Sequence, residues 1–255
     1  IAEPMPDIAN HVPGAEVVAV ASTSWAFAAL KADGSVSVWG NTDAGGDPTT
    51  LPDDVTTPSP GAEVVAITSS DDAFAALKKD GSVSIWANIA LGAEVVAIAS
   101  TTQAFAALKA DGSISAWGNG ETGGDDTSIP DDVKNPSPGA EVVAIASTYY
   151  AFAALTADGS VSVWGADGFG GSHAPSNVTS PAPGAEVVYI AATCCAFAAL
   201  NANGSVSVWG DAIRGGANAP DSVTNPSPGA EVVFITSSVV AFAAIKADGS
   251  VSSWG

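Results

Sequence analysis

Residues 14–40 read GAEVVAVASTSWAFAALKADGSVSVWG, and close copies of this stretch return five more times along the chain. Each copy opens with Gly-Ala-Glu and reaches a tryptophan 25 residues after its glycine. The opening glycines are Gly14, Gly61, Gly92, Gly139, Gly184 and Gly229, and the tryptophans are Trp39, Trp86, Trp117, Trp164, Trp209 and Trp254. Only the connection after the tryptophan changes length, so successive copies start 47, 31, 47, 45 and 45 residues apart. A repeat of this length predicts one supersecondary unit that stacks on its neighbours.

Each unit contains three short segments with the pattern of β-strands. In the first unit, residues 16–22 form a β-branched run with the length of a buried strand, and residues 26–32 form a second strand. Residues 35–39 alternate with period two and form a third. Asp33-Gly34 lies between the second and third segments and predicts a two-residue hairpin turn. The same pair recurs at Asp80, Asp111, Asp158 and Asp248, with Asn203-Gly204 as a variant.

These units predict an all-β fold, namely a closed six-bladed β-propeller with short antiparallel blades. One unit is too small to stand alone, whereas stacking around an axis buries both faces of every blade. Residues 4–13 match the connections at residues 51–60 and 129–138. We therefore expect residues 1–13 to close the ring by completing the last blade, so that residues 1–255 form one monomeric domain.

The charge balance bears on the kind of partner. The chain has 27 acidic residues and only seven lysines and arginines, which gives a formal net charge of −20. Such a surface repels phosphate and anionic lipid, so we expect neither a nucleic-acid nor a membrane partner. No apolar run approaches the ~20 residues that cross a bilayer, so we expect a soluble chain. The sequence begins at Ile1 without a signal-peptide pattern, as a processed form or an excised domain would, and its charge favours a secreted or extracellular location.

The repeated pattern VVAIAS…AFAALKADGSVSVWG resembles the regulator of chromosome condensation repeat over the whole chain. In the length of its blades the chain is similar to the propeller-type β-lactamase inhibitory proteins. The resemblance implies a rigid disc whose inter-strand loops bind another macromolecule.

The chain departs from that family in three ways. Its members commonly have seven blades, whereas six units are present here. They usually carry a histidine just before the second strand, where this chain has Ala26, Ala73, Ala104, Ala151, Ala196 and Ala241. Their chromatin-associated members are basic or neutral where they touch nucleosomes, and this chain is strongly acidic. A chromatin or nucleotide-exchange role is therefore not expected.

The units differ most in a two-residue window that precedes the second strand. The window is Ser24-Trp25, Asp71-Asp72, Thr102-Gln103, Tyr149-Tyr150, Cys194-Cys195 and Val239-Val240, while its flanks stay nearly constant. Residues that vary from Asp-Asp to Val-Val are expected to be at least partly exposed. Aromatic and apolar residues of this kind anchor interfaces, so the windows are the predicted partner-binding residues. The alternative is unconstrained drift of loop residues.

The connections after the tryptophans form a second variable region. Residues 43–54 and 121–132 are acidic, whereas residues 168–177 and 212–221 are much less so. Paired acids such as Asp53-Asp54 and Asp131-Asp132 lack the ligand spacing of a calcium loop, so we expect solvated turn residues.

The remaining candidates for chemistry are few. Identical glutamates follow each opening glycine, at Glu16, Glu63, Glu94, Glu141, Glu186 and Glu231, and suit a solvated rim. His11 and His173 have no catalytic or metal-ligand spacing around them. The adjacent pair Cys194-Cys195 suits a strained vicinal disulfide, a soft-metal site or simply another variant of the window.

The sequence therefore predicts a non-catalytic module that binds a protein or a glycan, with no cofactor, no metal and no catalytic residue. Two alternatives remain open: a metal-dependent six-bladed hydrolase or lactonase, and a structural repeat scaffold without a ligand.

Overall fold

The computed structural model describes residues 16–70, 73–85 and 95–255. The chain divides into two compact units, residues 1–103 and residues 104–255, which are taken in turn below. The predicted role of residues 1–13 in closing a ring falls outside the described residues, as do His11, Glu94, Asp71 and Asp72.

The described part of the first unit contains seven strands. Its first two sheets each contain three consecutive antiparallel strands, and β7 is the opening strand of the third sheet. The strands are β1 (Val17–Ser22), β2 (Ala26–Lys31), β3 (Val36–Gly40), β4 (Val64–Ser69), β5 (Phe74–Lys78), β6 (Val83–Ile85) and β7 (Val95–Ser100). A four-residue helix, α1 (Asp53–Thr56), follows β3.

The second unit repeats the same plan. The strands of its sheets are β8 (Ala104–Lys109), β9 (Ile114–Gly118), β10 (Val142–Ser147), β11 (Ala151–Thr156), β12 (Val161–Gly165), β13 (Val187–Ala192), β14 (Ala196–Asn201), β15 (Val206–Gly210), β16 (Val232–Ser237), β17 (Phe242–Lys246) and β18 (Val251–Trp254). The helices are α2 (Asp131–Lys134), α3 (Ser176–Thr179) and α4 (Asp221–Thr224). The antiparallel pairing of strands within each unit confirms the strand prediction.

The hairpin turn differs from the predicted two-residue form. In the first sheet the N–H of Lys31 donates to the carbonyl of Ser35, which leaves Ala32, Asp33 and Gly34 as a three-residue loop. Only Gly34 has a positive φ, 79°, and the Asp33 carboxylate accepts from the N–H of Ser35 at 2.9 Å. The loop is a turn followed by a β-bulge at Gly34, and only this glycine adopts the left-handed backbone conformation. The role of Asp33 is therefore to accept a hydrogen bond with its carboxylate.

The first strand of each sheet is also less buried than its β-branched sequence predicted. In β10 the second and third residues, Val143 and Ala144, are exposed, and the same pattern occurs in β4, β7, β13 and β16. The strand pairing shifts register between Val142 and Ala144, which leaves Val143 as an extra residue. Such a bulge bends the strand and leaves that residue unpaired. The β-branched run, which has the length of a buried strand, is therefore exposed at these two positions.

The core of the second unit forms where one sheet meets the next. Phe197 is fully buried and stacks on Trp209, with ring centroids 5.3 Å apart. The Trp209 Nε1–H donates to the carbonyl of Gly170, which lies in the connection from the preceding sheet. Fully buried alanines of β11 and β14 pack around these rings. The alanine-rich strands thus allow neighbouring sheets to approach closely, as their small side chains predicted.

A polar contact accompanies each junction. In the first unit, Asp54 of α1 accepts from the Lys78 ammonium at 2.5 Å and from the Ser84 hydroxyl at 2.6 Å. In the second unit, Asp132 bonds Ser162 and the Asn177 amide bonds Ser207. Asp54 and Asp132 therefore bond the neighbouring sheet, and both remain exposed to solvent, as expected for these acids.

Within the described ranges, no helix is long and apolar enough to cross a membrane.

Candidate interaction surface

The window forms a tight bend between the first and second strands of each sheet. In the fourth sheet the N–H of Thr148 donates to the carbonyl of Ala151, and the N–H of Ala151 donates to Thr148 Oγ1 at 3.1 Å. Tyr149 and Tyr150 occupy the two positions between them. A serine or threonine at the first flank is therefore required by the bend, which explains why the flanks stay constant while the two residues between them change.

A second set of bonds ties the window to the connection that follows the third strand. Thr148 Oγ1 donates to the carbonyl of Phe169 at 3.0 Å, and Thr193 Oγ1 donates in the same way to Arg214. The carbonyl of Tyr150 accepts from the N–H of Ala166 at 2.8 Å. The windows Tyr149-Tyr150 and Cys194-Cys195 therefore each form one rigid group with the 3₁₀ turn beside them.

In the second unit, three windows are joined to one another. The N–H of Tyr149 donates to the carbonyl of Cys194, and the N–H of Cys194 donates to the carbonyl of Val239, both at 2.8 Å. Since these bonds use only the backbone, they do not depend on which side chains occupy the windows. Unlike residues from three sheets thus lie side by side, and we call residues 149–150, 194–195 and 239–240 the window surface.

Most of the described window residues are exposed or partly exposed, as predicted. Ser24, Trp25 and Gln103 of the first unit are exposed and Thr102 is partly exposed. In the second unit Tyr149, Val239 and Val240 are exposed, and Tyr150 is half-buried.

The cysteine pair is the exception to that prediction. Cys194 and Cys195 are only 6% and 3% exposed, and both are free thiols. Cys194 is held by backbone bonds between Tyr149 and Val239. The small cysteine side chains are covered by their neighbours. The pair is therefore buried between two exposed windows and does not project into solvent.

Burial also determines the chemistry of these thiols. Removal from water, its hydrogen bond with Cys194 and the charge of that neighbour together raise the pKa of Cys195 to about 12. Because the thiolate is the nucleophile and the metal ligand, a thiol with this pKa is inert at neutral pH.

We expect neither cysteine to react with iodoacetamide at mildly alkaline pH while the protein is folded. Both should react within minutes in denaturant, because unfolding exposes the two thiols and returns the pKa of Cys195 to its ordinary value. Mass spectrometry of the two samples counts the added groups. Rapid labelling of the folded protein would contradict the buried position of the pair.

Three residues in the connections beside the windows were not predicted from the sequence. Phe169 meets Tyr150 edge to face, with ring centroids 4.6 Å apart, and Ile213 is among the most exposed apolar residues described. Arg214 pairs with Asp211 at 2.9 Å. All three lie in the 3₁₀ turns Asp167–Phe169 and Ala212–Arg214. The sequence did mark these connections as variable, but it gave no sign that they lie against the windows.

The other candidates are held in local contacts. The carboxylates of Glu63, Glu141, Glu186 and Glu231 accept the N–H of the glycine two residues earlier, at 2.9–3.0 Å. His173 is exposed and bonds Asp167 and Ser172. Among the described residues, no three histidine, cysteine or acidic side chains form a group that could hold a metal ion.

No protein-family model matches this sequence, and no curated protein matches it. Solved structures do match its fold. Prp20p from Saccharomyces cerevisiae, described with its binding properties to Gsp1p and histones, is 20% identical, with a TM-score of 0.57 over 94% of this chain and 72% of its own. The CRINKLY WD40 ectodomain of the Arabidopsis thaliana receptor kinase ACR4 is 15% identical, with a TM-score of 0.56 over 94% of this chain and 81% of its own.

A further structure shows yeast RCC1 (Prp20) bound to Kap60, with 18% identity and a TM-score of 0.56 over 89% of this chain and 65% of that one. At these identities the likeness establishes the fold and nothing further. The present chain has a repeated unit, stacked Phe–Trp pairs where its sheets meet, and three-stranded antiparallel sheets. Together with these matches, they show the fold of a propeller of the regulator of chromosome condensation type.

Proposed function

We propose that this protein is a non-catalytic binding module that presents its windows to a protein partner. The observation that carries the proposal is the backbone frame that joins Tyr149, Cys194 and Val239. It places unlike side chains from three sheets side by side without disturbing the core.

The residues on that frame suit an interface with a protein. Tyr149, Val239 and Val240 are exposed, and large apolar side chains gain free energy when a partner covers them. Tyr149 adds a hydroxyl for directional bonding. Because the bends are already fixed by hydrogen bonds, binding costs little conformational entropy. The apolar valine pair favours a protein partner over a glycan.

The neighbours in fold are compatible with this proposal. Prp20p was described with its binding to Gsp1p and histones, and yeast RCC1 was solved bound to Kap60. Those partners belong to those proteins, and the support they give is that proteins with this fold have protein partners.

The chemistry of the described residues also favours binding over catalysis. The repeated glutamates Glu63, Glu141, Glu186 and Glu231 have the same environment, in which backbone N–H bonds hold the pKa of each below its usual value. Four equivalent carboxylates do not supply an acid and a base of different pKa. The Cys195 thiol is protonated at neutral pH. Among the described residues, these acids and thiols therefore do not supply the residue set that the hydrolase alternative needs.

The proposal is tested with a displayed random-peptide library selected on the immobilised protein. Tyr149→Ser, Val239→Ser and Val240→Ser together keep the fold, because Ser24 already occupies a window. We expect peptides selected on the wild type to bind this triple variant at least ~10-fold more weakly, since two or three anchors each contribute about 1 kcal/mol or more.

The matched control changes three valines that are equally exposed but lie on first strands. Val239 is 60% exposed and Val18 is 61% exposed, and Val65 and Val96 are about as exposed as Val240. Val18→Ser, Val65→Ser and Val96→Ser together should leave peptide binding unchanged. Peptides that bind both triple variants as well as the wild type would refute the proposed surface.

A further inference from the structure

Two neighbouring first strands in the second unit carry an exposed aromatic residue where the other repeats carry alanine. Tyr189 is 46% exposed and Phe234 is 50% exposed. The equivalent residues of the other repeats are Ala19, Ala66, Ala97 and Ala144, and all four are exposed as well. The aromatic rings therefore fill no cavity of the core and are not required by the fold.

The bulge in each first strand explains how these rings reach solvent. The pairing of β13 shifts between Val187 and Tyr189, and the pairing of β16 shifts between Val232 and Phe234. Val188 and Val233 are the extra residues, and both are more than half exposed. β13 and β16 contact each other, so we group their four exposed apolar side chains as the aromatic patch: Val188, Tyr189, Val233 and Phe234.

Acidic residues lie at the start of the two strands that carry the aromatic patch. Glu186 and Glu231 immediately precede the two strands, and their carboxylates are fixed by the N–H groups of Gly184 and Gly229. Glu186 also packs against Gly159, next to Asp158 in the hairpin turn of the preceding sheet. Lys246 lies at the same end, opposite Val232, and Asp248 stands two residues from it in the hairpin turn. Carboxylates thus outnumber amino groups at this end of the two strands.

We propose that the aromatic patch binds a basic peptide segment, whose arginine or lysine side chains lie on the rings of Tyr189 and Phe234 and face the carboxylates of Glu186 and Glu231. Cations are attracted to the faces of aromatic rings, and nearby carboxylates strengthen that attraction. An acyl chain from an anionic lipid, or a second copy of this chain, would bring negative charge toward the same carboxylates and be repelled.

This site goes beyond the window surface and is separate from it. Tyr189 precedes Cys194 by five residues, which is roughly 15 Å along an extended strand. A side chain that contacts one surface therefore does not contact the other. Substitutions in one surface leave the residues of the other unchanged.

The test uses a variant whose new residues already occur at the equivalent position of other repeats. Tyr189→Ala and Phe234→Ala together restore the residue found in the other repeats, so the variant folds, and its net charge is unchanged. The probe is an amidated peptide of Arg-Gly repeats, titrated by calorimetry at about 0.15 M salt, where long-range attraction is largely screened. The reference peptide replaces each arginine by citrulline, which has the same shape and no charge.

We expect the arginine peptide to bind the wild type about tenfold more tightly than the double variant, because two cation–ring contacts are lost. The citrulline peptide should bind neither protein. Equal binding of the arginine peptide to both proteins would mean that bulk charge alone attracts it, and would overturn the proposal, as would the absence of binding to the wild type. Neither result bears on the window surface, which is intact in both proteins.

Discussion

Replacing Phe197 by alanine should lower the free energy of unfolding by about 3–5 kcal/mol. The ring is fully buried, stacks on Trp209, and lies in van der Waals contact with Gly170 in the connection from the preceding sheet. Its loss leaves a cavity at the junction of two sheets, because the methyl groups of the surrounding alanines are too short to fill it. Urea denaturation followed by tryptophan fluorescence measures the change.

Phe234→Ala is the matched control for this prediction. It removes the same side chain from the same unit, but Phe234 is half exposed and its position holds alanine in other repeats. We expect that variant to change the free energy of unfolding by less than about 1 kcal/mol, as exposed substitutions generally do. Similar costs for the two substitutions would show that the sheet junction does not supply the stability assigned to it.

The strands and their antiparallel order were predictable from the sequence because the pattern is repeated. Six copies of an apolar segment, an alanine-rich segment and a period-two segment leave few alternatives once Asp-Gly marks the turn between the last two. Tertiary detail was less accessible. A bulge at Val143 cannot be inferred from EVVAIAS, because periodicity alone cannot distinguish a regular buried strand from one that bends and exposes two residues.

Comparison of the repeats located the windows because the bend is held by backbone atoms and by the flanking threonine, so the two residues inside it are free to vary. The same comparison misjudged Cys194 and Cys195. Variation shows that the frame tolerates many side chains, but the burial of a side chain depends on its neighbours. The neighbours of Cys194 are Tyr149 and Val239, which come from other sheets, 45 residues away in each direction.

The aromatic patch was missed for a related reason. Tyr189 and Phe234 lie inside a predicted strand, where apolar residues are expected and attract no notice. Only the exposure of Ala144 and its equivalents in the structure shows that this position is open to solvent in every described repeat. With that knowledge, two aromatic residues in place of alanine become informative.

The second large effect is expected from Gly165→Ala, which links the scaffold to the window. Gly165 has φ of 106°, and a Cβ there would lie 2.6 Å from the carbonyl oxygen of Tyr150 and 2.8 Å from the Cα of Ala151. Both atoms are backbone, so they cannot rotate away, and the strained φ adds its own cost. We expect a loss of about 2–4 kcal/mol in the free energy of unfolding.

That substitution should also weaken binding at the window surface, because the carbonyl of Tyr150 accepts from Ala166, the residue that follows Gly165. Moving this carbonyl displaces Tyr150 from Phe169 and disturbs the frame that carries Tyr149. Gly168→Ala is the control, since no atom outside its immediate chain neighbours lies within 4 Å of the added carbon. It should cost less than about 0.5 kcal/mol and leave peptide binding unchanged. If Gly165→Ala bound the selected peptides as tightly as the wild type, the window would not depend on this glycine for its shape, and the rigid coupling of scaffold to surface would be wrong.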